Sequence, residues 1–158
     1  MEKKYFPIFI DISEKKIVVI GGGKIATRRV NTLLLFAKQI EVVAPEVTVE
    51  LRELSDKGEI TWRQGEYCYE RIQMADIVLA ATNQPVVNHR VKEDCERMRA
   101  ETGRNVLVNI ADDKTMCDFY FPGIVDMGEI VVGISSGGSD PGQVKEIRKR
   151  ILGMIKDT

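Results

Sequence analysis

Short apolar runs alternate with amphipathic stretches along most of the chain. After a loose alternation from Ile8 to Ile12, the polar string Ser13-Glu14-Lys15-Lys16 reads as a turn. Ile17-Val18-Val19-Ile20 is a β-branched run of the kind buried on both faces of a parallel sheet. Residues 25–36 carry Ile25, Val30, Leu33 and Leu34 on or near one stripe, which predicts a helix. Ile40 to Ala44 follows as a second strand ended by Pro45, then a helix over 47–57 stopped by Gly58. Further strands are expected at 60–63, 77–81 and 106–108. A short helical piece at 69–74 and a long polar helix at 85–99 lie between them.

This alternation implies right-handed βαβ crossovers and an open parallel sheet. The pattern changes after Asp113. Phe119-Tyr120-Phe121 and residues 130–135 read as strands with no room for a helix between them, and a last helix is expected over 141–155. The chain is thus expected to divide into a nucleotide-binding type of domain over 1–113 and a small β-plus-helix region over 114–158. That second region is too short to bury a core of its own comfortably, and is expected to pack on the first domain or on another subunit.

With 158 residues, 44% hydrophobic and 30% charged, the composition is that of an ordered globular domain. A formal net charge of −1 argues against a general nucleic-acid binder but leaves room for a local basic pocket. No apolar run reaches the ~20 residues needed to cross a bilayer, and the stretch after Met1 is too short for a signal-peptide core. Cys68, Cys95 and Cys117 are odd in number and far apart, as expected of reduced thiols in a cytoplasmic protein. The single histidine, His89, stands at no ligand spacing from them, so no metal site is expected.

Gly21-Gly22-Gly23-Lys24-Ile25-Ala26 follows the first strand and opens the first helix, fitting GxGxxA. Gly21 allows the tight turn, Gly23 lets the backbone approach a pyrophosphate, and Ala26 lets helix and strand pack closely. The helix N-terminus adds N–H donors. In this context the string predicts a Rossmann-like α/β fold holding a dinucleotide. Ala44-Pro45-Glu46 ends the second strand, and Glu46 stands about 25 residues after Gly21, where an acid binds the adenosine ribose. No arginine beside it awaits a 2′-phosphate, which favours NAD over NADP. Glu46 could equally open the next helix. Thr82 and Asn83 end the fourth strand and could contact the nicotinamide half, or cap the helix entered through Pro85.

Asn109-Ile110-Ala111-Asp112-Asp113 brings polar groups to the carboxyl edge of the sheet. A carboxylate there can accept the proton released as hydride leaves, and either aspartate could serve; both could also be turn formers. The loop Ser135-Ser136-Gly137-Gly138-Ser139-Asp140-Pro141 offers hydroxyls and N–H groups to a carboxylate, or is a capped connection. Lys145, Arg148, Lys149 and Arg150 beyond it form a solvated face or a site for a polycarboxylate.

Together, Phe6-Pro7-Ile8-Phe9, the glycine string, Val42-Val43-Ala44-Pro45, Ala80-Ala81-Thr82-Asn83, Asn109-Ile110-Ala111-Asp112, Phe121-Pro122-Gly123-Ile124-Val125 and Ser135-Ser136-Gly137-Gly138-Ser139 resemble the precorrin-2 dehydrogenase family over residues 5–150. The resemblance implies NAD-dependent oxidation of precorrin-2 to sirohydrochlorin on the route to siroheme, an activity that some members follow with iron insertion. It implies Asp112, not Asp113, as the catalytic carboxylate. It also implies Lys24, Ile25, Pro45 and Glu46 as cofactor contacts, Gly22 and Gly23 along the pyrophosphate, and Ser136 beside the tetrapyrrole. Asn109, Ser135 and Gly137 are expected substrate contacts on the same basis, and a homodimer through the second region is expected. Met127 and Gly123 depart from the arginine and serine frequent in relatives. Many relatives also continue past Thr158 with a helical region, so the resemblance carries iron insertion less directly than oxidation. The competing reading is a non-catalytic dinucleotide-sensing module, which would share the glycine turn but needs neither the Asn109–Asp112 nor the Ser135–Ser139 motif.

Overall fold

A computed structural model describes residues 5–156; the first four residues, read above against a signal peptide, and Asp157 and Thr158 lie outside it. Backbone packing groups the chain into one unit of Asp11–Phe119 and a second in which the N-terminal segment to residue 10 joins residues from Tyr120 onward.

The first unit is a five-stranded parallel sheet. Its strands are β1 (Lys16–Ile20), β2 (Gln39–Ala44), β3 (Thr61–Gln64), β4 (Ile77–Ala80) and β5 (Leu107–Ile110), in the order β3-β2-β1-β4-β5. Ile17 lies opposite Ile40 on one side and Ile77 on the other, so β1 is central. That position suits its four consecutive buried β-branched residues, which have apolar neighbours on both faces. Crossovers run through α1 (Lys24–Leu33), α2 (Val49–Asp56) and α3 (Pro85–Thr102). The strand order reverses between β1 and β4, and in open sheets of this kind ligands sit beyond the carboxyl ends at that point.

The helices differ from expectation at their ends. α1 stops at Leu33, three residues early, because the N–H groups of Leu35 and Phe36 turn back to the carbonyls of Thr32 and Leu33. Its buried stripe is Ala26, Val30 and Leu33, whereas Ile25, expected on that stripe, is 43% exposed. α2 begins at Val49 because the Thr48 hydroxyl accepts the Leu51 N–H. α3 runs three residues beyond Arg99 to a left-handed Gly103 with φ 70°. It is polar overall, yet Asn88, Val91, Cys95 and Met98 recur at helical spacing and are buried.

Cys95 is fully buried on that stripe, and burial pushes its thiol up to about 12. In the native chain near pH ~8, a disulfide reagent is expected to leave Cys95 unlabelled and to reach it only on unfolding. Peptide mass spectrometry after labelling checks this; rapid native labelling of Cys95 would mean that α3 opens readily.

Residues 114–119 stay with the first unit because they bond along the outer edge of β5. Asp118 N–H donates to the Val108 carbonyl at 2.9 Å, and its carboxylate accepts the Val108 N–H at 2.8 Å. The Ile110 N–H meets Cys117 Sγ at 3.2 Å. The Asp118 carboxylate also pairs with Lys92 at 3.2 Å and with Arg99.

In the second unit, β6 (Gly123–Asp126) and β7 (Val131–Ile134) form an antiparallel pair, followed by α4 (Pro141–Lys156). The expected strand at Phe119–Phe121 is absent, and β6 starts after Pro122 instead. The Phe119 carbonyl is taken by the Asn109 side chain, and Pro122 has no N–H to give a ladder. The Tyr5 and Tyr120 rings pack against each other at an angle of 56°, with centres 4.3 Å apart. Arg148 Nε donates to the Ile124 carbonyl at 2.7 Å, tying α4 to β6. Phe6, Ile8 and Phe9 are exposed.

Among the described residues, no helix is long and apolar enough to cross a membrane, and no group of three His, Cys, Asp or Glu side chains could hold a metal ion.

Candidate functional site

The turn after β1 requires its first two glycines and leaves the third open. Gly21 has φ 117°, and a Cβ on it would stand 2.5 Å from the Ala81 carbonyl oxygen. On Gly22 a Cβ would lie 2.2 Å from the Glu46 carbonyl oxygen and 2.8 Å from Val47. Both are close approaches of backbone to backbone that no side chain permits. On Gly23 a Cβ would meet nothing within 4 Å, and φ there is −89°. Gly23 is the N-cap of α1, and no side chain caps that helix. Open space above bare helix N–H groups is what a pyrophosphate needs, so this end of the sheet fits a dinucleotide. Lys24 and Ile25 lie exposed on the first turn of α1.

The end of β2 is pinned against that turn. Thr48 N–H donates to the Gly22 carbonyl at 3.0 Å, and the hydroxyls of Thr48 and Thr27 lie 2.8 Å apart. Ala44 is buried, whereas Pro45 and Glu46 form an exposed bend. Glu46 therefore does not open α2; Thr48 holds that place, and the Glu46 carboxylate is left to solvent. Trp62, the single tryptophan, donates its Nε1–H to the Ala44 carbonyl at 3.0 Å, which places a fluorophore beside this bend.

The ends of β4 and β5 are joined by Asn88, which is 0% exposed. Its Nδ2 donates to Asp112 Oδ1 at 2.8 Å and to the Thr82 carbonyl at 3.1 Å. Its Oδ1 accepts from the Thr82 hydroxyl at 2.7 Å and the Thr82 N–H at 3.2 Å. The Thr82 hydroxyl also accepts the Gln84 N–H at 3.1 Å, so Thr82 shapes the start of α3 as well as ending β4. Asn83 is exposed.

The two aspartates after β5 separate into different roles. Asp112 is exposed, and one of its oxygens is held by Asn88. Asp113 caps a 3-10 turn at Lys114–Met116, accepting the Thr115 hydroxyl and N–H. Those bonds, with the His89 ring 3.9 Å away, hold the Asp113 carboxyl below the usual carboxylate range. Asp113 is the turn former of the pair.

Asn109 is 3% exposed and both ends of its amide are engaged. Its oxygen accepts from Arg29 Nη1 at 2.6 Å and its nitrogen donates to the Phe119 carbonyl at 2.8 Å. Burial lowers the Arg29 pKa to about 10, so it stays protonated at neutral pH. Expected at a substrate surface, the Asn109 side chain instead joins α1 to the segment beyond β5.

In the second unit, Ser135 Oγ accepts the Gly137 N–H at 3.1 Å, and Ser136 Oγ accepts the Asp140 N–H at 3.0 Å. Gly137 and Gly138 have φ 64° and 75°, and Asp140 accepts the Gln143 N–H in the first turn of α4. The loop is therefore internally bonded. Each serine hydroxyl accepts one N–H and keeps its own proton for a further acceptor.

Sequence reasoning missed Asn88, Thr27 and Thr48. Asn88 had a readable signal: it is a polar residue in register with Val91, Cys95 and Met98 on the buried stripe of α3. The threonines had none, because their pairing depends on how two crossovers meet.

A family model described as "Putative NAD(P)-binding" matches residues 8–123. A siroheme synthase of Photorhabdus laumondii is 34% identical over 151 residues, covering 96% of this chain and 31% of that protein. A "Probable multifunctional siroheme biosynthesis protein HemA" of Ruminiclostridium josui is 42% identical over 147 residues, covering 92% of this chain and 27% of that protein. The chain thus spans about a third or less of the length of these relatives. Among solved structures, "SirC, precorrin-2 dehydrogenase" superposes with a TM-score of 0.78 at 27% identity, over 93% of this chain and 69% of that one.

Proposed function

The chain belongs to the NAD(P)-binding family whose model spans residues 8–123, and from that premise we propose that it oxidises precorrin-2 to sirohydrochlorin with NAD, using Asp112 as the general base. It is a precorrin-2-dehydrogenase-like domain of the kind found in proteins of siroheme biosynthesis. The observation that carries the finer reading is Asp112, an exposed carboxylate anchored by one oxygen, at the carboxyl end of the strand beside β4.

Gly23 with the N–H groups of Lys24 and Ile25 holds the pyrophosphate, on a turn whose shape Gly21 and Gly22 permit. Ala44, Pro45 and Glu46 take the adenosine end, the Glu46 carboxylate accepting ribose hydroxyls. Thr82 and Asn83 border the nicotinamide half. NAD, when bound, supplies a two-electron hydride acceptor. Asp112 takes the proton that leaves the macrocycle as its new double bond forms, so hydride and proton together account for the two electrons and two hydrogens removed. Ser135 and Ser136 offer hydroxyl protons to substrate carboxylates, with Gly137 shaping their loop. The unit from Tyr120 onward provides a homodimer interface, and the Asp11–Phe119 unit, rather than a 1–113 domain, carries the nucleotide. Where iron insertion follows, ferrous iron is a second substrate, and Asp112 is the group placed to take pyrrole N–H protons.

Anaerobic incubation of the chain with precorrin-2, with and without NAD, tests the reading by following the macrocycle spectrum and NADH absorbance together. Conversion that requires NAD is expected. NAD binding without conversion would overturn the reading in favour of a nucleotide-sensing module. Adding ferrous iron afterwards, against an enzyme-free control, reads iron insertion separately.

Glu46→Gln tests the ribose contact. Loss of a charged acceptor is expected to raise the Kd for NAD by roughly tenfold or more while leaving the fold intact, since Glu46 is exposed. Quenching of Trp62 fluorescence by NADH reports the affinity. NADP should lose little in the variant, because the acid opposes its 2′-phosphate. An unchanged Kd for NAD would place the ribose elsewhere.

A further inference from the structure

An amide on a buried helix stripe is costly unless every polar atom is bonded. Asn88 occupies such a place, between the strand that ends at Thr82 and the carboxylate of Asp112. Thr82 presents both a backbone N–H and a carbonyl to it, which fixes the amide's orientation. The oxygen faces the N–H and hydroxyl of Thr82; the NH2 group must then face Asp112, 2.8 Å away. Only Asp112 Oδ1 is engaged by this contact, which leaves Oδ2 of the exposed side chain to take a proton.

Building on the reading of Asp112 as the base, we propose that Asn88 is a positioning residue that locks this carboxylate to the end of β4. Through one rigid, fully buried amide, the group that takes the proton is registered to the strand end that borders the hydride acceptor. Neither end can shift along the sheet edge without breaking a bond at Asn88. Thr82 thereby acts on Asp112 as well as bordering the cofactor.

Asn88→Asp is the informative substitution, because it keeps size and still accepts from Thr82, while its buried carboxyl either repels Asp112 or shares a proton with it, and in both cases the base is no longer held free to accept. A misplaced base is expected to lower kcat for precorrin-2 by up to ~100-fold. The KM and Kd for NAD should stay within about twofold, as a positioning role leaves binding at the glycine turn intact. The solvent deuterium isotope effect on kcat should rise as proton transfer becomes the slow step, a change that general destabilisation would not produce. Folded Asn88→Asp with wild-type kcat and isotope effect would overturn the proposal.

Asp112→Asn is measured alongside. If it turns over as well as wild type, or wild type does not turn over at all, the reading of Asp112 fails and this inference falls with it. If Asp112→Asn is inactive and Asn88→Asp is unaffected, only the positioning role fails. Should Asn88→Asp not fold, side-chain amide hydrogen exchange in the wild-type chain decides by NMR. Both Asn88 NH2 protons should exchange slowly, and Asp112→Ala should accelerate one of them; equal, fast exchange in both proteins would overturn the proposal.

Discussion

Asp112→Asn should fold like the wild type, bind NAD with the same affinity, and turn over precorrin-2 about 10²- to 10⁴-fold more slowly. The side chain is exposed, so no core contact is lost. The amide oxygen of the new asparagine can still accept from Asn88 Nδ2, which preserves the one hydrogen bond that orients the position. Only the capacity to take a proton is removed. Asp113→Asn is the matched control, because Asp113 serves its own 3-10 turn and its loss should leave kcat within about twofold. Single-turnover kinetics under anaerobic conditions, with NAD affinity from Trp62 fluorescence, separate these outcomes. Equal activity in Asp112→Asn and wild type would remove Asp112 from the chemistry; a loss confined to Asp113→Asn would exchange the two assignments.

Substitutions at Gly21 and Gly23 should have opposite consequences although the two residues are two positions apart. At Gly21 an alanine must adopt φ near 117° and place its Cβ 2.5 Å from a backbone oxygen. The strained backbone alone costs ~1–3 kcal/mol and the clash adds to it, against a total stability of ~5–15 kcal/mol. A fall in Tm of roughly 10 °C is expected for a chain of this size, or failure to accumulate folded protein. At Gly23 the backbone is ordinary and the space open, so Gly23→Ala should leave stability within about 0.5 kcal/mol. Its Cβ would nonetheless occupy the side from which a pyrophosphate approaches, and the Kd for NAD should rise by tenfold or more. Thermal denaturation and NADH titration read the two effects independently. Wild-type NAD affinity in Gly23→Ala would place the diphosphate away from the turn.

These glycines also mark where sequence reasoning succeeds and where it stops. The β1 run and the glycine string after it predicted a strand buried on both faces and a tight turn, because a β-branched run and a glycine turn are local requirements. The allocation of roles among the glycines was less legible. Gly22 was read as lining the pyrophosphate, yet its missing Cβ is required by the carbonyl of Glu46, a contact between segments far apart in the chain. Phe119–Phe121 read as a strand from its aromatic content, but a side-chain amide and a proline exclude it from any ladder. The aspartate pair shows the same limit. Two adjacent carboxylates are equivalent in sequence, and what distinguishes them is a buried asparagine 24 residues earlier.

Polymerisation is a standing hazard for any open sheet, because the last strand offers a template to a neighbouring molecule. Along β5 that template is covered. The outward N–H groups of Val108 and Ile110 end on the Asp118 carboxylate and the Cys117 sulfur, and the outward carbonyl of Val108 receives the Asp118 N–H. A hem made largely of side chains carries no second row of amides, so growth of the sheet terminates there. A fragment cut at Asp113 would lack this hem and should self-associate on concentration, whereas one extended through Phe119 should not; light scattering distinguishes them. Six residues outside any ladder thus serve as a selvage for the sheet.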